Sequence, residues 1–183
     1  IDIDNCHNCD SVKINITTNT QAMLGGIIGY NNTTAEKVIN NTSNSGVVFA
    51  EGTISGDGQH IRAGGLIGYS KGGTTLTSLT NSGAVTIKIS TDEVYLGGIC
   101  GSTSSLTAET LTNNAKITYE GTCSGPCRIG GCLGNGSGTY TTLENTGEIV
   151  VTGTTTADYM YVGGVVGMNT ATLDGAINRG TMN

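Results

Sequence analysis

Five copies of one pentad, Gly-Gly-h-h-Gly with h apolar or cysteine, punctuate the chain: Gly25-Gly26-Ile27-Ile28-Gly29, Gly64-Gly65-Leu66-Ile67-Gly68, Gly97-Gly98-Ile99-Cys100-Gly101, Gly130-Gly131-Cys132-Leu133-Gly134 and Gly163-Gly164-Val165-Val166-Gly167. An apolar or small residue precedes each copy: Leu24, Ala63, Leu96, Ile129 and Val162. A short apolar strand that runs through glycines leaves no room for large side chains, so something else in the fold must approach it closely. The chain is a repeat protein, and its repeats must share one geometry.

A second marker falls between the pentads, at Asn8, Asn44, Asn81, Asn113, Asn145 and Asn178, with steps of 36, 37, 32, 32 and 33 residues. Periods in this range belong to solenoids or propeller-like arrays. After each of the first five markers comes a short alternating segment, at 11–16, 47–51, 84–89, 116–120 and 148–152. Before several of them runs Leu-x-x-Leu-x-Asn, as in Leu76-Thr77-Ser78-Leu79-Thr80-Asn81. Each repeat thus holds three short strand signals separated by Asn, Gly, Ser and Thr turns, with no helical periodicity. A propeller blade would need four antiparallel strands. The pattern predicts an all-β, right-handed parallel β-helix (β-solenoid) of about five turns of 32 to 37 residues, three short strands per turn, with turns stacked about 4.8 Å apart. Val12, Ile14 and Ile16, like Val85, Ile87 and Ile89, then point inward.

Composition agrees with a thin coil whose core is made of stacked small aliphatics. Thirty glycines accompany one proline and no tryptophan, aromatics are 4% and charged residues 12% of the 183 positions, and no linker-like run divides 1–183 into separate bodies. A net charge of −6 without any basic cluster excludes a surface that displaces counterions from nucleic acid or anionic lipid. No apolar stretch approaches the roughly 20 residues of a membrane-spanning helix, so no membrane insertion is expected. Six cysteines lean towards an oxidising compartment. The first residue, Ile1, reads as belonging to a processed form or to a segment of something longer.

The combination of Gly-Gly-h-h-Gly, a turn, and Leu-x-Asn-x-Gly resembles the GLUG-type repeats of large secreted and cell-surface proteins, over nearly the whole chain. The usual cysteine directly after the repeat asparagine is present here only at Cys9. The resemblance implies a right-handed β-helical stalk and a role in surface display or adhesion, with no defined reaction.

The first and last segments are in phase with each other. Residues 1–6 align on the Leu-x-x-Leu strand, and residues 173–183 supply another copy of that strand with its marker. Solenoid ends are ordinarily blunted, because an open end offers unpaired N–H and C=O groups to another strand. No polar cap is legible here, which leaves a segment of a longer stalk or head-to-tail association into an open filament. In the second case Ile1, Ile3 and Cys6 meet Leu173, Ile177 and Met182. Both pentad hydrophobics are apolar or cysteine in every copy. Either the glycines bend the strand so that both face the core, or Ile27, Leu66, Ile99, Cys132 and Val165 form an outward stripe for lateral contact.

Asn-x-Ser/Thr sequons occur at Asn15, Asn31, Asn32, Asn40, Asn41 and Asn135. Asn31, Asn32 and Asn135 follow pentads, and Asn15 points outward by alternation. Each adjacent pair is expected to carry at most one glycan. For the cysteines, sequence proximity favours Cys123 with Cys127 and Cys100 with Cys132; Cys6 and Cys9 could close on themselves or tether a neighbour. Cys100 and Cys132 are offset by one residue, which forbids their bond unless the glycines break alternation. Cys6, His7 and Cys9 fall short of a four-ligand zinc set, and no cofactor is expected. His7 and His60 are isolated, Arg62, Arg128 and Arg179 do not sit beside paired carboxylates, and no helix follows the pentads to bind phosphate. The expectation is a non-enzymatic, secreted, N-glycosylated structural protomer that self-associates head to tail into a filament or surface coat. The alternatives are an adhesin or carbohydrate-binding stalk using Tyr30, Tyr69, Tyr140 and Tyr159, and an ice-binding solenoid with threonine rows.

Overall fold

The computed structural model describes residues 2–33 and 35–183, and these form a parallel β-solenoid of about five laps without a helix. The segment after each marker builds one five-stranded sheet, from Val12–Thr18 to Ile149–Val151. The segment entering each pentad builds a second, from Ala22–Gly25 to Met160–Gly163, and the segment leaving it a third, from Ile28–Asn31 to Val166–Asn169. The Leu-x-x-Leu segments build the fourth, from Ile3–Asp4 to Thr172–Asn178. The pentad strand is therefore one side of the lap folded in two, because its second and third residues form a bend that divides it between two sheets. The pairing is in register: Leu79 opposes Leu111, Leu111 opposes Leu143, and Asn81 opposes Asn113.

The interior is not one core. Val85, Ile87, Leu96 and Ile129, from the first two sheets, belong to one buried cluster; Leu66, at the pentad bend, and Cys100, Leu111 and Leu143, from the other two sheets, belong to a second. The marker asparagines meet the pentads between these clusters. A Cβ on Gly26 would sit 2.7 Å from Asn44 Oδ1, and one on Gly164 would sit 2.6 Å from Asn178 Cγ. Each lap is pinched where an asparagine crosses to a glycine, and any side chain there would occupy the asparagine's own volume. That contact is the close approach implied by the pentad.

The asparagines themselves form a continuous hydrogen-bonded column. Asn8 Nδ2 donates to Asn44 Oδ1 at 2.7 Å, and the same bond runs from Asn44 to Asn81 (2.9 Å), to Asn113 (2.9 Å), to Asn145 (2.8 Å) and to Asn178 (2.9 Å). Each Nδ2 also donates to the carbonyl two residues on, for example Asn81 to Gly83 at 2.9 Å and Asn113 to Ala115 at 2.9 Å. Asn81, Asn113 and Asn145 are fully buried, and the column satisfies both amide hydrogens and the carbonyl of each, the condition under which a buried amide stabilises a fold.

The choice left open for the pentad is resolved in favour of the bend. Leu66, Ile67, Ile99, Cys100, Cys132 and Leu133 are all essentially inaccessible and lie in one cluster, so the outward lateral stripe is not formed. A second departure from alternation occurs in the fourth sheet. Leu76 and Leu79 are three residues apart yet both buried, because the residue before the second leucine has a left-handed φ. The position recurs in every lap as Asn5 (52°), Asn41 (46°), Ser78 (55°), Thr110 (55°), Thr142 (57°) and Gly175 (73°). One left-handed residue re-phases the strand and returns both apolar side chains to the interior.

Candidate functional site

Register assigns each end residue to a row. Ile3 heads the row Ile39, Leu76, Ala108, Tyr140 and Leu173; Val12 heads the row Val48, Val85, Ile117, Ile149 and Met182. The middle members are buried, whereas Leu173 is 37% and Met182 54% exposed. Ile14, inward by pairing with Ala50, is 43% exposed for the same reason: within the described residues nothing stacks on the first lap. Ile177 departs from its expected role, since it continues the row Thr80, Thr112 and Glu144, while Ala176 continues Leu79, Leu111 and Leu143. Ile1 lies outside the described residues.

The asparagine column has a polarity that makes its two ends unlike. At the first lap, among the described residues, Asn8 Oδ1 meets only the Asp10 N–H, at 3.5 Å. At the last, the Asn178 amide donates to Gly180 O at 2.9 Å, and among the described residues its second N–H meets no marker. One end offers an acceptor and the other a donor at the same position of the lap.

The sequon asparagines are not equivalent. Asn15 is exposed and opposes Glu51 on the solvent side. Asn31 uses its amide nitrogen, the atom a glycan would take, to donate to Ser70 Oγ at 3.1 Å and Thr74 Oγ1 at 2.9 Å in the next lap. Its neighbour Asn32 is exposed and accepts from the Tyr30 hydroxyl through Oδ1, so its nitrogen is free for modification. Asn40 and Asn41 both donate to Asp4 Oδ1 at 3.3 Å, and Asn135 Nδ2 lies 3.5 Å from Ser102 Oγ.

All six cysteines are free thiols. The expected Cys100–Cys132 bridge is not formed: Cys100 pairs in register with Leu133, and the two thiols donate to different carbonyls, of Ser102 (3.0 Å) and Glu144 (3.2 Å). Burial pushes both thiols up to about 12. Cys6 is half-buried and Cys9 exposed. Cys123 and Cys127 are brought together in the first core cluster. The Cys127 thiol hydrogen-bonds Cys123 and holds it down to about 6, while the same bond pushes Cys127 well above the ordinary thiol value.

Tyrosines take three environments. Tyr140 is fully buried with its hydroxyl on Thr103 Oγ1, so it cannot touch a ligand as the adhesin alternative requires. Tyr159 is 52% exposed beside Tyr161. Tyr30 and Tyr69 stack with centroids 5.3 Å apart on the outside of the third sheet. The asparagine column and the left-handed row are what residue-by-residue reading missed. The signal for the first was present, since every pentad is matched by one marker asparagine. Comparison with protein-family models, with curated proteins and with solved structures returned no match.

Proposed function

We propose that the chain is an extracellular structural protein, an N-glycosylated β-solenoid protomer that stacks head to tail into a filament or surface coat. The observation that carries this reading is the match between the end laps. Superposing the last lap of one copy on the first of another brings Leu173 over Ile3, Asn178 over Asn8 and Met182 over Val12, and these pairs belong to the same inward rows. The free amide hydrogen of Asn178 then donates to Asn8 Oδ1, extending the column by one step. A heterologous contact of this kind repeats without closing and yields an open filament. The exposed sequons Asn15 and Asn32 lie on the outer flank of the first lap, where side chains point away from the solenoid axis and have room for glycans, and the resemblance to GLUG-type repeats supports surface display.

Electron microscopy of purified protein at neutral pH, with sedimentation over a concentration series, tests the reading. Rods several times the length of one chain that shorten on dilution are expected, and Met182→Asp and Leu173→Asp should leave single units. Monodisperse single rods at all concentrations overturn it.

A further inference from the structure

Along the outside of the second sheet runs the row Met23, Arg62, Tyr95, Arg128 and Tyr161. The bend at the pentads brings side chains of the third sheet against it, and an alternating stack results. The Tyr30 ring lies on the Tyr69 ring at 5.3 Å. The Arg62 guanidinium lies 4.3 Å from the Tyr69 centroid and 5.2 Å from that of Tyr95, and Arg128 lies 4.8 Å from Tyr95 on the following lap. Two of the three arginines in a chain of net charge −6 are therefore held with their planes against aromatic faces.

Ion pairing does not account for Arg62. Among the described residues Arg62 makes no salt bridge, and its buried Nε has no hydrogen-bond partner. Its neighbour His60 is 9% exposed, donates through Nδ1 to Gly58 O at 3.2 Å, and leaves Nε2 buried and unpaired. Arg128 stands 3.8 Å from Glu93, whose carboxylate is already engaged by the Tyr95 hydroxyl, and its buried Nη1 is also without a hydrogen bond. An ordinary surface arginine turns its guanidinium to water or a carboxylate, but one fixed between two rings is met at its edge.

A guanidinium edge is the fork that matches a carboxylate through two parallel N–H bonds. The rest of the rim decides what carries that carboxylate. Both neighbours of the strands His60–Gly64 and Glu93–Gly97 are already paired, so no sheet edge is open for an added peptide strand. The Glu93 carboxylate is taken up on the far side by the Tyr95 hydroxyl and Arg128, and what remains around the Arg62 edge is hydroxyl and amide: Tyr30 with Asn32, the Tyr69 ring, and Asn135 with Ser102. Those groups suit a polyol. We propose that the Arg62 edge, walled by Tyr69 and Tyr95, is a binding site for a carboxylate-bearing saccharide of the uronate class. The site lies on the flank of the lap and does not depend on end-to-end stacking.

The chain has no tryptophan, and three of its seven tyrosines, Tyr30, Tyr69 and Tyr95, lie in this stack, so a ligand there changes part of the tyrosine emission. The full chain is titrated with tri-D-galacturonate, with its fully methyl-esterified form and with triglutamate, and calorimetry supplies a second readout. Saturable binding of the acid, at least tenfold weaker binding of the ester and of triglutamate, and a loss of at least tenfold in Arg62→Gln and Arg62→Lys are expected. Arg179→Gln, remote from the stack, should bind as the wild type does. Absence of binding, equal binding of acid and ester, or unchanged binding in a folded Arg62→Gln overturns the site, and triglutamate binding as well as the uronate overturns the saccharide. If the Arg62 variants do not fold, the acid-to-ester comparison on the wild type decides alone.

Discussion

A Cβ placed on Gly98 would fall inside the contact radius of Asn113 Cγ, and the same atom would overlap the Gly131 carbonyl of the next lap. Neither obstacle is the free end of a flexible chain, because Asn113 is fixed by bonds to Asn81, Asn145 and Ala115 O. Gly98→Ala must therefore break the column or separate two laps. A loss at or above the top of the roughly 1–3 kcal/mol range for overpacking is expected. Gly58→Ala meets nothing within 4 Å and should cost only its backbone strain at φ +69°, about 1 kcal/mol. Denaturant unfolding of the two variants checks this, and equal losses would remove the waist as the reason for the pentad.

Thr110 sits at φ 55° with an exposed side chain, in the row whose last member is Gly175. A left-handed backbone costs an ordinary residue about 1–2 kcal/mol, against about 0.5–1 kcal/mol of extra chain entropy for glycine. Thr110→Gly should then raise stability by about 0.5–1 kcal/mol, and Gly175→Thr should lower it. A destabilised Thr110→Gly would mean that the threonine contributes packing beyond its backbone.

Lap order, strand direction and the inward alternation of Val85, Ile87 and Ile89 were legible because each is a local pattern repeated at a fixed period, and the structure buries all three residues. The fate of the pentad was not, because Leu66 and Ile67 face the same cluster only through a bend whose cause, Asn81, lies fifteen and fourteen residues later in the chain. Leu76 and Leu79 pose the same difficulty: the re-phasing residue is Ser78, then Thr110, then Thr142, and none of these advertises a left-handed φ. The Arg62 stack was illegible for a third reason. Its members lie on four laps and two sheets, and only the register brings them together.

Cys123 and Cys127 differ from the other thiols in having each other as partners; Cys123 also reaches the Thr154 carbonyl at 3.7 Å, whereas Cys100 and Cys132 meet backbone carbonyls alone. The lowered Cys123 thiol supplies the thiolate that exchange chemistry requires. Treatment with a mild disulfide-forming oxidant should remove two hydrogens and give a single intramolecular bond between Cys123 and Cys127, located by peptide mass mapping. Cys100 and Cys132 should remain alkylatable after unfolding, and their recovery as a mutual disulfide would contradict the register.

His60 gives the solenoid a pH dependence above the carboxylate range. Burial is the larger cause that lowers it from its ordinary value near 6.5, with the Arg62 charge adding to it, while the Gly58 carbonyl and Glu93 act in the other direction. Its ring stands edge-on to Tyr95 at 5.6 Å, so protonation would put a second cation against the stack that already holds Arg62. Between its folded and unfolded values the unfolded chain binds more protons, and stability rises with pH across that window. The contribution is complete above about 6.5 and is lost as pH falls through the folded value. Thermal unfolding should therefore move to lower temperature between about pH 7.5 and pH 5.5, before any carboxylate titrates. His60→Phe keeps a ring beside Tyr95 but cannot take a proton, and in a Cys123→Ser background, which removes the thiol held down to about 6, the slope should flatten in that variant. An unchanged slope would place the titrating group elsewhere and leave His60 as a packing residue.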